Sequence, residues 1–269
     1  MRTVWFHVHV PKAGGSTLRQ LMNRSFGKGY YNSVSLLESK QYTCGDVRSI
    51  ASSQTWLGCM SDHKLSLDLP FDFEEANVQA LAFVRDPVDR YVSRYFYHRK
   101  AEIDCAAKTT EFREFIDYEL VQGHVEPQVM SQLHFLTLGR AKDDLTFIQE
   151  KLTTDQICLY PVERFDEAAV CLEQRFADTF RDLSYVPVNQ ARRDRQVAEE
   201  DLDLVREKVA GDIPLHQLAN QRLEDEIDRL FSSRYEFEFA LRDYKARCAV
   251  RIDNFNPSYL KRMNIPAAA

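Results

Sequence analysis

The chain has 269 residues, of which 44% are hydrophobic and 28% charged, with a formal net charge of −6. This is ordinary globular composition with ample material for a core, and the acidic balance excludes a global basic field of the kind that gathers nucleic acid. No apolar run approaches the roughly 18 residues of a membrane span, and core-like sequence begins within a few residues of Met1, so neither an anchor nor a secretory leader is visible.

Residues 4 to 10, Val-Trp-Phe-His-Val-His-Val, are β-branched, aromatic or imidazole and read as a buried strand. Pro11 ends it, having no N–H for a ladder. Gly14 and Gly15 permit a sharp turn and close backbone approach. Ser16 and Thr17 are good helix caps, and Leu18, Leu21 and Met22 follow at helical spacing. A strand, a glycine loop and a helix start in that order aim free N–H groups and a positive helix dipole at one point, where a phosphate or sulfate fits. Lys12 precedes the glycines. The nucleoside-triphosphate loop, G-x-x-x-x-G-K-[ST], has its lysine after them and is absent.

Residues 27 to 56 show no clean period and read as loop with one short helix near 34–40. Residues 56 to 69 include Ser61-Asp62-His63. Val78 to Val84 reads as a second buried strand, running into Arg85-Asp-Pro-Val-Asp-Arg-Tyr-Val-Ser93-Arg-Tyr. Pro87 suits a first helical turn, and Val88, Tyr91, Val92 and Tyr95 form a stripe at i, i+3, i+4 and i+7. Arg85 therefore stands at a strand end, with Ser93 on the following helix. Arg90 and Arg94 read either as part of a binding element or as a solvated face.

Amphipathic helices are expected over 111–122 and 126–138, and around Leu145, Ile148 and Leu152, all as core stripes. Residues 157 to 160 read as a strand that passes through Pro161-Val-Glu163-Arg-Phe165 into a helix to about 180; Glu163 reads either as a brace for a site or, more plainly, as the partner of an arginine. Arg192, Arg193 and Arg195 lie in a polar loop. Helices follow over 199–210 and 213–231. Beyond 235, Tyr-Glu-Phe-Glu-Phe alternates before the pattern turns helical. The six cysteines, Cys44, Cys59, Cys105, Cys158, Cys171 and Cys248, form no C-x-x-C pair; Cys158 and Cys171 sit in apolar patterns and read as buried thiols.

Strands alternating with helical segments predict an α/β fold: a P-loop-like three-layer sandwich with a central, mostly parallel sheet of four or five strands flanked by helices. Residues 1–269 are expected to form a single domain, with a loosely held tail from about 254. The strands at 4–10, 79–84 and 156–160 should be neighbours.

Pro-Lys-x-Gly-Gly-Ser-Thr after a strand, followed some 70 residues later by Arg-Asp-Pro-x-x-Arg-x-x-Ser-x-Tyr, resembles the carbohydrate sulfotransferases that use 3′-phosphoadenosine 5′-phosphosulfate (PAPS). The heparan sulfate 2-O-sulfotransferase group and its bacterial relatives are the nearest kind. The resemblance covers roughly residues 3 to 235 and extends to Asp212-Ile-Pro-Leu. It implies metal-independent, in-line transfer of a sulfuryl group from PAPS to a hydroxyl of a carbohydrate acceptor, leaving PAP. Lys12, Ala13, Gly14, Gly15, Ser16 and Thr17 would hold the 5′-phosphosulfate, and Arg85 and Ser93 the 3′-phosphate. Lys12 would act on the bridging oxygen and His63 as the base, with no metal ligands. Asp62 stands where the family more often has glycine, and is the reserve base.

Of the remaining histidines, His7 reads as a core residue. His9 either bonds the phosphosulfate or supports the loop. His98, His124, His134 and His216 lack context. Family members of the Golgi carry an anchor and stem; their absence leads to the expectation of a cytoplasmic, bacterial protein without a membrane span. The acceptor is left open among glycan, lipid-linked sugar and small metabolite, with Arg192, Arg193 and Arg195 facing an acidic acceptor, closing over the cofactor, or simply solvated. The competing readings are a P-loop nucleotide or small-molecule kinase and a non-catalytic nucleotide-binding protein.

Overall fold

Strand β1 (Arg2–Val8) is buried at every residue from Val4 on, so both of its faces are covered, as in the middle of a parallel sheet. The computed structural model describes residues 2–32, 42–67, 76–100, 111–123, 131–137, 145–187 and 197–254. Around β1 lie β2 (Tyr30–Asn32), β3 (Cys59–Asp62), β4 (Ala76–Val84) and β5 (Ile157–Pro161), in the spatial order β2-β3-β1-β4-β5. All pairings are parallel, with His7 level with Ser61 on one side and with Leu81 on the other. The expected neighbours β1, β4 and β5 are adjacent. The chain builds one side of β1 first and then crosses to the other, so the C-terminal end of β1 is the switch point where such sheets bind ligands.

The helices are α1 (Gly15–Phe26), α2 (Cys44–Ser53), α3 (Pro87–Lys100), α4 (Phe112–Ile116), α5 (Gln132–Thr137), α6 (Thr146–Lys151), α7 (Phe165–Arg175), α8 (Glu199–Lys208), α9 (Ile213–Leu230) and α10 (Arg234–Asp253). Trp5 anchors the main core, with Phe176 and Phe180 each 4.7 Å away edge-on. A smaller cluster joins Tyr91 and Tyr95 of α3 to Phe112 and Phe115 of α4 and Val205 of α8. One polar network is buried beside the sheet: Tyr160 donates to Glu226 at 2.6 Å, and Arg175 holds the other oxygen of that carboxylate at 2.9 Å.

Several elements depart from the sequence reading. The stretch expected to be loop contains β2 and α2. The first is a three-residue edge strand, too short to show a period. The second opens on a Thr43–Asp46 capping box and, among its described side chains, buries Val47. Helix α7 ends at Arg175, short of 180, and a turn lets Phe176 and Phe180 both reach Trp5. The alternating aromatics after 234 belong to α10, which Ser233 caps; Phe237 is buried while Tyr235 and Phe239 are exposed. After α4 the chain widens into a π-helical turn over Asp117–Val121, which turns Glu119 inward. The short helix expected near 34–40, the tail beyond 254, Arg192, Arg193, Arg195 and His124 lie outside the described residues.

Candidate active site

The loop between β1 and α1 is held by its neighbours on all sides. Lys12 and Gly14 both take left-handed backbone, with φ 67° and 79°, and Gly14 is the N-cap of α1. Ser16 and Thr17 were expected as caps; they lie instead in the first helical turn, because the left-handed Gly14 is the cap, two residues before Ser16. The Thr17 and Leu18 N–H groups both turn back to the Gly14 carbonyl, at 3.1 and 3.2 Å. The first N–H groups of a helix lack intrahelical acceptors, so this end of α1 is where an anion fits. Space around it is tight. A Cβ on Gly15 would come within 1.7 Å of His9 Nε2, and one on Gly14 within 2.6 Å of Val162 Cγ2.

Two arginines tie the loop to the β4–α3 side. Arg85, just past β4, donates from Nη1 to the Lys12 carbonyl at 3.4 Å, and Arg90 donates from Nε to the Pro11 carbonyl at 3.1 Å. Arg90 is 5% exposed; burial pushes its pKa down to about 10, with nearby Asp212 opposing the shift. Arg94 forks onto Glu119, with Nη2 at 2.9 Å from Oε1. The solvated-face reading of Arg90 and Arg94 is thereby replaced: one grips the loop, the other a buried carboxylate. The Lys12 ammonium stands 4.1 Å over the Tyr97 ring. Ser93 lies one helical turn before Tyr97, on the same face of α3.

The opposite flank carries three imidazoles. His63 follows β3 and stacks on His9 with 4.0 Å between centroids, and His9 stacks on His7 at 5.1 Å. His63 Nδ1 lies 2.7 Å from the His9 carbonyl, which can only accept, so Nδ1 carries the proton and Nε2 the lone pair in the neutral ring. His7 Nδ1 meets Ser61 Oγ at 2.7 Å. Burial holds all three below the ordinary histidine range: His7 falls to about 3, His9 lower still, and His63 falls despite the raising effect of the His9 carbonyl and Asp62. The Arg19 guanidinium adds to each of these depressions. Arg19 is one turn beyond Gly15 on α1, and its Nε is buried without a hydrogen-bond partner.

Asp62 is 3% exposed, and both its oxygens are engaged, one by the Tyr42 hydroxyl at 3.0 Å and one by the Lys64 N–H at 2.9 Å. Among the described residues Glu163 meets no arginine; it accepts from the Asp86 N–H at 2.8 Å and pairs with His216 Nε2 at 3.1 Å. Burial opposes ionisation of Glu163, but the bonds from His216 and Asp86 win and hold its pKa below the usual carboxylate value, while the same bond raises His216. So Lys12, the glycine loop and Arg85 meet at the end of β1, with His63 joined to them through His9. Of Arg19, Arg90, Tyr97 and Gln132, sequence reasoning overlooked three. Only Arg90 left a trace, as the second arginine of Arg-Asp-Pro-x-x-Arg.

Among the described residues no three His, Cys, Asp or Glu side chains form a metal-holding group, and no helix is long and apolar enough to cross a membrane. A family model described as the sulfotransferase family matches residues 2–202. No curated protein sequence matches the chain significantly. Among solved structures, a sulfotransferase from Alicyclobacillus acidocaldarius is similar at 16% identity, over 86% of this chain and 98% of that one, with a TM-score of 0.43.

Proposed function

The chain belongs to the sulfotransferase family, and we propose that it transfers a sulfuryl group from PAPS to a hydroxyl of a carbohydrate acceptor. The observation that best supports this reading is the tie between Arg85 and the Lys12 carbonyl, which joins a candidate 3′-phosphate arginine to the 5′ anion cradle across 73 positions of sequence. The residues fit such a donor. Gly14 and Gly15 let the loop pack directly against Val162 and His9, and Lys12, Arg85 and Arg90 supply local positive charge to a chain of net charge −6. PAPS, when bound, supplies an activated sulfuryl group on a phosphate leaving group.

The chain's own residues divide the remaining work. Amides around Gly14 to Ser16, with the Ser16 and Thr17 hydroxyls, bind the 5′ end, and Arg85 with Ser93 binds the 3′-phosphate. Lys12 is a mobile point charge that leaves Tyr97 to neutralise charge developing on the leaving oxygen. His63 takes the acceptor proton at Nε2. Its low pKa keeps it unprotonated near neutral pH, and its Nδ1 bond to His9 fixes the ring for that task. Asp62 is a poor alternative, since Tyr42 and Lys64 occupy both its oxygens.

The test is calorimetry with PAP in the presence of a chelator, paired with transfer of labelled sulfate from PAPS to a panel of neutral and acidic sugars. Metal-free PAP binding and labelled sugar are expected. A strict requirement for ATP and Mg²⁺, with no response to PAP, would overturn the reading in favour of a kinase.

A further inference from the structure

Arg85 lies beyond the reach of the sheet. The β1–β4 ladder ends at Val8 and Ala82, and the β4–β5 ladder at Val84 and Pro161. Its backbone N–H and C=O would be left without strand partners, yet the amide of Gln132 takes both. Gln132 Oε1 accepts from the Arg85 N–H at 2.8 Å, and Gln132 Nε2 donates to the Arg85 carbonyl at 2.7 Å. One side chain thus imitates a neighbouring strand for a single residue, and it is fully buried while doing so. Gln132 is fixed in turn by Asp212, which accepts from the Gln132 N–H at 2.6 Å, the Leu133 N–H at 3.1 Å and the Ser131 hydroxyl at 2.9 Å. The next N–H, of Asp86, goes to Glu163, which pairs with His216 four residues beyond Asp212. Two consecutive backbone positions at the end of β4 are therefore set by side chains that both lead to the start of α9.

We propose that Gln132 is a positioning residue that determines selectivity for the 3′-phosphate, by fixing the backbone from which the Arg85 side chain departs, with Asp212 holding Gln132 in register. This rests on the PAPS reading of the site. The physical reason is leverage. A long side chain carries any freedom at its backbone out to the guanidinium, and a charge-assisted bond to a phosphate loses strength with small misplacement. Gln132 itself touches no ligand.

The experiment compares PAP with AMP, which lacks the 3′-phosphate, by calorimetry on the full chain and on Gln132→Leu and Gln132→Glu. Leucine removes both bonds. Glutamate keeps the acceptor and, when ionised, loses the donor. Gln132→Leu should lower the ratio of PAP to AMP affinity about tenfold or more, while AMP affinity stays within about twofold. Gln132→Glu should fall between that variant and the unaltered chain; if Gln132→Leu does not fold, Gln132→Glu carries the test by the same ratio. A variant that melts at lower temperature yet keeps the full ratio overturns the proposal, since the bracket is then only structural. An unaltered chain that binds PAP and AMP alike sinks the donor reading, and this inference with it. A preserved ratio in the variants sinks this inference alone.

Discussion

The His63 imidazole lies almost parallel to that of His9, 4.0 Å away, and its Nδ1 is bound to the carbonyl of the same residue at 2.7 Å. His9 in turn lies against Gly15, the first residue of α1. His9 thus holds the candidate base twice, its carbonyl setting the tautomer and its ring, packed against Gly15, setting the position.

His63→Ala is expected to lower kcat by roughly 10² to 10⁴, the usual reach of general base catalysis, with PAP affinity little changed. Turnover at saturating PAPS, with PAP titrations alongside, checks this. Wild-type kcat in the variant would move the base elsewhere.

The pH profile follows from the direction of the His63 shift. Burial lowers its pKa, so the ring stays neutral, and competent as a base, below the ordinary midpoint of about 6.5. The acidic limb of kcat should therefore lie below that value. Because Arg19 contributes to the depression, Arg19→Met should move the limb upward, toward the ordinary value. A limb that stays in place in this variant would mean that the guanidinium does not act on His63.

Lys12→Ala should cost on the order of 10² or more in kcat, as for the loss of an oxyanion donor, with a smaller effect on PAP affinity. Arg85→Ala should instead act on binding. PAP should weaken by about 2 kcal/mol or more, and AMP should be nearly unaffected. Parallel titrations of the two variants against PAP and AMP separate the roles. An equal loss for both ligands in Arg85→Ala would remove that residue from the 3′ end.

Gly15→Ala tests the wedge between helix and histidine. The added carbon would come within 1.7 Å of His9 Nε2, so the ring or the helix must move. Overpacking of this kind costs roughly 1–3 kcal/mol or more, and should appear as a lowered melting temperature together with weakened PAP binding. Unchanged melting would show that His9 yields without cost.

Stability should fall as the solution becomes acidic. The folded pKa of His7 is depressed to about 3, and His9 lies lower still, whereas both titrate near 6.5 when unfolded. Between these limits the unfolded chain binds more protons, so stability is fully present above about pH 6.5 and is lost on descending toward about 3. The slope is about 1.4 kcal/mol per pH unit for each such histidine. Melting curves at pH 7.5 and 5.5 should show the loss, and His7→Leu should flatten it. An identical slope in that variant would exclude His7 as a source.

Local signals carried much of this protein. The run of Val4 to Val10, the glycines after Lys12 and the Arg85-Asp-Pro87 junction each announce a strand end or helix start within a few residues. Strand, loop and helix alternation was enough for a parallel α/β sheet with Lys12 and Arg85 at the same edge, because backbone periodicity and turn chemistry act over short spans. The rest depended on partners far apart in the chain. Whether Asp62 or His63 is available as a base turns on the Tyr42 hydroxyl and the His9 carbonyl, and Glu163 finds His216, 53 residues away. Gln132 and Asp212 acquire meaning only when packing brings them to Arg85. No period encodes such contacts. They are decided by which buried donor each buried acceptor meets once the core has closed, and satisfying those groups is a condition that only the tertiary structure can impose.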